Sequence, residues 1–177
     1  MSELRLPTRR QVCRDLALAG TALLVRPIAA AAAPSGIKAD RILVLKAERK
    51  LILQRGGTVL ASFPIALGAH PVGPKREAGD RRTPEGRYQI DGFNPHSRYY
   101  RALHLSYPNA EDMRRAQEAG HAPGGDIEIH GLPGGFGDYD PVAFFKDWTN
   151  GCVAVSNRAI EKIWASVALG TAVEIVA

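Results

Sequence analysis

The sequence predicts a mainly β domain with a few helices (α+β). Three observations carry that expectation. Short apolar runs recur between turn residues along most of the chain. Gly (18) and Pro (12) are abundant, as a fold with many turns requires. Only two stretches show the apolar spacing of an amphipathic helix.

In chain order, Arg41 to Lys46 and Lys50 to Gln54 are apolar runs split by the charged Ala47-Glu48-Arg49, the pattern of a hairpin. Arg55-Gly56-Gly57 is a second turn, and Thr58 to Leu67 a third strand interrupted at Pro64. Residues 68–86, rich in Gly, Pro and charge, are expected to form a long mobile loop. Tyr88 to Ile90 and Ala102 to Leu105 are further short strands. Asn109 to Ala119 is a helix by its Asn cap, its early acids Glu111 and Asp112, and the Gly120 stop. A shorter turn is expected at Asp140-Pro141. Asn157 to Ala168 sets Ile160, Ile163, Trp164 and Val167 on one helical face, and Ala172 to Val176 closes the chain as a strand.

Residues 1–35 read as a cleaved signal peptide, leaving one domain over 36–177. Arg5, Arg9, Arg10 and Arg14 precede the ten-residue apolar stretch Leu16–Val25, and small residues follow at Ala29 to Ala33. Thr8-Arg9-Arg10-Gln11-Val12-Cys13-Arg14 resembles the twin-arginine export motif. A periplasmic or cell-envelope protein without a stable membrane anchor is therefore expected. No apolar run reaches the roughly 18 residues of a membrane-spanning helix. The formal charge of +5 is largely that of the leader: without its five Arg and two acids, 18 basic and 16 acidic side chains remain. The charge thus gives no argument for nucleic-acid binding. Cys13 leaves with the leader, so Cys152 is the single thiol of an exported domain, either inert or kept for its reactivity.

Cys152 lies in Trp148-Thr149-Asn150-Gly151-Cys152-Val153-Ala154-Val155. The preceding Gly permits an unusual turn, and nearby backbone N–H groups suit an oxyanion. A thiol needs an activating base, usually an imidazole. His130 ends the alternating run Asp126 to Ile129, in which Ile127 and Ile129 face one way and Glu128 and His130 the other. It opens into a glycine-rich loop and is the best-placed base. His70, His96 and His121 lie in loops and are expected to be solvated, and His104 to be structural. Neither H-x-x-x-H nor C-x-x-C is present, so no metal site is expected.

Ile129-His130-Gly131, then Thr149-Asn150-Gly151-Cys152-Val153, resembles the signature of the L,D-transpeptidase catalytic domain, the YkuD-like family. Thr83-Pro84-Glu85-Gly86-Arg87-Tyr88 and the closing Gly170-Thr171-Ala172-Val173 resemble two further family segments, so the likeness covers roughly residues 40–176. It implies a sandwich- or barrel-like β domain whose Cys attacks the third-position amide of a peptidoglycan stem peptide. Carried over, Cys152 is the nucleophile and His130 its base. The Gly131 carbonyl would orient the imidazole, the N–H groups of Gly151 and Cys152 would line the oxyanion site, and Thr149 would shape the loop. Many members carry Arg or Asn where this chain has Ala154, and Ser or His near Asn150. The candidate substrate contacts are therefore Asn150, Arg81 and Arg82, the last two as binders of substrate carboxylates. The spacer between His130 and Cys152 carries Phe136, Tyr139, Phe144, Phe145 and Trp148; of these, Phe144, Phe145 and Trp148 are expected in the core.

The function implied is a periplasmic transferase. It forms an acyl-enzyme at Cys152 and passes the stem peptide to an amine: a neighbouring diaminopimelate, a lipoprotein lysine or a free D-amino acid. It needs no cofactor. With water as acceptor the same site is an amidase or carboxypeptidase, and without turnover the domain is a silent wall-binding module.

Overall fold

The computed structural model describes residues 38–134 and 146–177. The leader, the turn expected at Asp140-Pro141 and the residues Phe136, Tyr139, Phe144 and Phe145 lie outside them. Eight strands and two helices are described: β1 (Arg41–Leu45), β2 (Lys50–Arg55), β3 (Thr58–Pro64), β4 (Gly86–Ser97), β5 (Tyr100–Leu105), α1 (Ala110–Glu118), β6 (Glu128–His130), β7 (Val153–Ala154), α2 (Asn157–Ser166) and β8 (Ala172–Val176).

The strands form one sheet in the order β3-β2-β1-β8-β4-β5-β6-β7. β1 pairs antiparallel with β2 and parallel with β8, with Ile42 opposite Leu53 on one side and Val173 on the other. Ile42, Val44, Leu51, Leu53, Val173 and Ile175 are all buried, which is why the alternation was visible in the sequence. β4 is much longer than the run Tyr88 to Ile90 that the sequence predicts. Its first residues pair with β8 and the rest with β5, and register shifts fall between Ile90 and Gly92 and between Asn94 and Ser97. Those bulges let one strand serve two halves of the sheet, and the Gly and Pro they require conceal it as a turn.

The sheet curls until its edges meet. Just past β3, Ala66 exchanges both backbone hydrogen bonds with Ala154 of β7, each 2.9 Å. The core of Ile, Leu and Val side chains lies inside this curl, and α2 covers part of it with Ile160 and Ile163. Burying each such side chain contributes about 1.5–3 kcal/mol. Trp164 of α2 meets Phe93 of β4 edge-on, with ring centroids 4.7 Å apart.

Both helices begin at capping residues. Asn109 and Asp112 form a capping box at α1, and Gly120 follows with φ +73°. At α2 the Ser156 side chain accepts from the Ala159 N–H.

The segment 68–86, expected to be a mobile loop, is tethered at several buried points. Lys46 donates to the carbonyls of Gly73 and Thr83 and to Glu85. Lys75 pairs with Asp80 at 2.7 Å, both side chains almost fully enclosed. The Asp80 carboxylate also receives the N–H groups of Arg76, Glu77 and Arg82, and these bonds hold it below the usual carboxylate range against the burial that would raise it. Composition shows the polar residues but not that they satisfy one another.

Candidate active site

The turn that presents Cys152 is built by Thr149. Its hydroxyl donates to the Cys152 carbonyl at 2.7 Å and accepts from the Gly151 N–H at 3.1 Å. Thr149 is buried, and its own backbone bonds to Leu67 and Ala69. One residue before Trp148, Asp147 accepts from the Leu67 N–H and from the Arg49 guanidinium. The approach to the thiol is thus fixed on both sides to the chain leaving β3. Gly151 has φ +134°, a conformation few other residues adopt.

β6 and β7 run parallel, with Ile129 opposite Val153 and His130 opposite Ala154. Ile127, Ile129, Val153 and Val155 point into the core. The alternate residues Glu128, His130, Cys152 and Ala154 therefore share the other face, and Cys152 and His130 lie one diagonal step apart on it. The pair named from the sequence is brought together by strand register.

His130 is 1% exposed. Its Nδ1 lies 2.7 Å from the carbonyl of Gly131, the next residue. A carbonyl only accepts, so Nδ1 carries the hydrogen and Nε2 of the neutral ring keeps a free lone pair. Burial lowers the imidazole pKa to about 4, the Gly131 carbonyl pulling the other way. Burial pushes the Cys152 thiol up to about 11, and the nearby carboxylates of Glu128 and Asp126 add to it. The half-buried Sγ lies 3.5 Å from the Asp126 carbonyl. At neutral pH Cys152 is thus a thiol, and the His130 imidazole on the same strand face is uncharged.

The Gly151 N–H, expected at the oxyanion site, donates to the Thr149 hydroxyl at 3.1 Å. One expectation needs correction. Trp148 is not a core residue: it is half-buried and meets the His130 ring at a centroid separation of 5.8 Å.

The Arg82 carbonyl packs against Gly151, the residue before Cys152, and the Arg81 carbonyl against Gly68. The Arg81 carbonyl accepts from the His70 N–H, and the Arg82 guanidinium donates to the Val72 carbonyl. Arg81 and Asn150 are exposed. His70, His96 and His121 are exposed as expected, while His104 is half-buried and bonds Asp91. Tyr99 joins the site only in the structure: its ring lies on the His130 imidazole with centroids 4.4 Å apart. No sequence spacing marks it, because it comes from the β4–β5 turn. No group of three or more His, Cys, Asp or Glu set to hold a metal ion occurs among the described residues.

Residues 39–175 match the family model for the L,D-transpeptidase catalytic domain, YkuD. YafK of Escherichia coli (strain K12), provisionally named an L,D-transpeptidase, is 32% identical over 111 residues, which is 62% of this chain and 37% of that protein. The chain thus matches little more than a third of that relative's length. Among solved structures, the helical cell shape determining protein Pgp2 of Campylobacter jejuni aligns with TM-score 0.58 and 28% identity. The alignment covers 76% of this chain and 46% of that one. Bd1075 of Bdellovibrio bacteriovorus aligns with TM-score 0.54 and 27% identity over the same shares.

Proposed function

Because the chain belongs to the YkuD family of L,D-transpeptidase catalytic domains, we propose that it is a periplasmic acyltransferase acting on peptidoglycan stem peptides, exported by the twin-arginine-like leader. The observation that carries the reading is the shared face of Cys152 and His130, with Nδ1 of the ring tied to Gly131 and Nε2 left as a base. The Cys152 Sγ attacks the carbonyl carbon of the scissile amide, and its proton passes to Nε2. The tetrahedral intermediate collapses as the C–N bond breaks, and the proton moves from Nε2 to the departing amino acid, leaving a thioester. An amine acceptor then attacks the thioester and gives its proton to Nε2; the C–S bond breaks, and the sulfur recovers the proton. The Cys152 N–H is the backbone donor best placed for the oxyanion, since Thr149 holds that of Gly151. Arg81, exposed next to Arg82, whose carbonyl packs against Gly151, is the candidate for binding substrate carboxylates. The likeness to a protein described as determining helical cell shape favours a role in shaping the wall.

The test is incubation of the leaderless protein with disaccharide-tetrapeptide, with and without a D-amino acid acceptor, read by mass spectrometry. Loss of the terminal residue, an acyl adduct on Cys152 and an acceptor-dependent amide product are expected. A folded protein that yields neither adduct nor product overturns the reading. Adduct formation followed only by release of the free acid makes it a hydrolase.

A further inference from the structure

The turn between β4 and β5 is locked onto the end of β6. The Tyr99 N–H donates to Ser97 Oγ at 3.1 Å, and Tyr100 adopts φ +73°. The Arg101 N–H donates to the Tyr99 carbonyl at 3.0 Å, and the Gly131 N–H to the Arg101 carbonyl at 3.1 Å. A Cβ on Gly131 would come within 2.9 Å of the Tyr99 carbonyl oxygen and 2.5 Å of Asn157 Oδ1, so only glycine lets the turn approach this closely. The outcome is a stack: Tyr99 and His130 lie with centroids 4.4 Å apart and planes 26° from parallel. Trp148 closes another side, 6.0 Å from Tyr99 and 5.8 Å from His130.

We infer that Tyr99 is a positioning residue for the reaction, its ring fixing the plane of the His130 imidazole and keeping water off it so that Nε2 is held toward Cys152 as an uncharged base. The Gly131 carbonyl fixes one ring atom, but a single hydrogen bond still allows the ring to rock about it; a stacked plane removes that freedom. An aromatic face also attracts a cation, which by itself favours imidazolium. Two features oppose that pull. The enclosure desolvates the imidazole, and the Arg98 guanidinium, 5.5 Å from the Tyr99 centroid, already occupies the ring as a permanent cation. On the shared strand face the ionisable neighbours of His130 are the Cys152 thiol and Glu128.

This inference rests on His130 acting as the base, so its first readout needs no substrate. The His130 imidazole is titrated by NMR in the leaderless protein and in Tyr99→Phe, Tyr99→Leu and Tyr99→Ala, and kcat and KM are then measured on tetrapeptide fragments. Tyr99→Phe should match the wild type within about threefold in kcat. In Tyr99→Ala the titration midpoint should rise by about one pH unit or more as water enters, and kcat should fall about tenfold or more with little change in KM. Leu fills the space without a plane: the midpoint should stay low while kcat falls. An Ala variant with the wild-type midpoint and kcat overturns the inference, as does a Phe variant as impaired as Ala. A wild-type protein inert toward the fragments would instead count against the function proposed above, and the Tyr99 dependence of the titration would still be read.

Discussion

The carbonyl oxygen of Arg82 occupies the space where a side chain at position 151 would begin. A Cβ built on Gly151 lies 2.7 Å from it, and the φ of +134° there is already one that few residues other than glycine adopt. The loop 73–86 and the turn that carries Cys152 are therefore packed backbone to backbone. Gly151→Ala must displace one or the other. A loss of about 1–3 kcal/mol in stability is expected, with a larger loss of turnover, about 10²-fold, because Cys152 follows directly. Thermal melts alongside acyl-adduct formation check it; an Ala variant with wild-type values for both would mean the loop yields freely.

The proposed roles of Cys152 and His130 set an expected pH dependence. With the thiol near 11 and the imidazole near 4, the acid limb of kcat/KM should fall near pH 4 as His130 gains a proton. Alkylation of Cys152 by iodoacetamide should keep rising toward pH 11. A reactivity plateau starting near neutrality would reveal a preformed thiolate and contradict the mechanism. Cys152→Ala and His130→Ala should each abolish turnover, and the double variant should be little worse than either single one.

His130 also links stability to acidity. Its folded pKa, about 4, lies below the ordinary 6.5, so the unfolded chain binds the proton more readily. The stabilisation is complete above pH 6.5 and is lost as pH falls toward 4, about 3 kcal/mol in all. Denaturant titrations at pH 7 and pH 4 should show this loss in the wild type and a smaller one in His130→Gln. Equal losses would place the acid sensitivity elsewhere, for example in Asp80, whose lowered pKa acts in the same sense.

The buried Lys75–Asp80 pair should be costly to break on one side. Asp80→Asn or Lys75→Met leaves an uncompensated group in an enclosed site, a loss of about 3–5 kcal/mol. Because Asp80 also holds the Arg82 N–H, turnover should fall in Asp80→Asn as well. Arg81→Ala, at an exposed position, should leave stability within about 0.5 kcal/mol and instead raise KM for peptidoglycan fragments. Melting curves and KM values distinguish the two behaviours; an unchanged KM in Arg81→Ala would remove Arg81 from substrate binding.

Much of this protein is local, and what is local is written in the sequence. Strand alternation at Ile42 and Val44, the Asn109 cap and the helical spacing of Ile160 and Ile163 depend on neighbours a few residues away. Cys152 and His130 were recognisable because each stands in a short motif whose glycine and strand context can be read directly. β4 is longer than its sequence pattern suggests because a bulged strand and a turn use the same residues, here Gly92, Asn94 and Pro95.

The rest depends on which distant segments meet. Closure of the sheet sets Leu67 and Ala69 against Thr149, and Arg49 against Asp147, and so fixes the turn that carries the thiol. The parallel register of β6 and β7 decides that Cys152 and His130 share a face. Tyr99 reaches His130 only because β4 and β5 fold back to place their turn at the end of β6. The segment 68–86 reads as a mobile loop in sequence; the buried pair of Lys75 and Asp80 makes it an anchor. Sequence determines chemistry and local period, but burial depends on the whole chain. It is burial that leaves this thiol protonated and this imidazole uncharged.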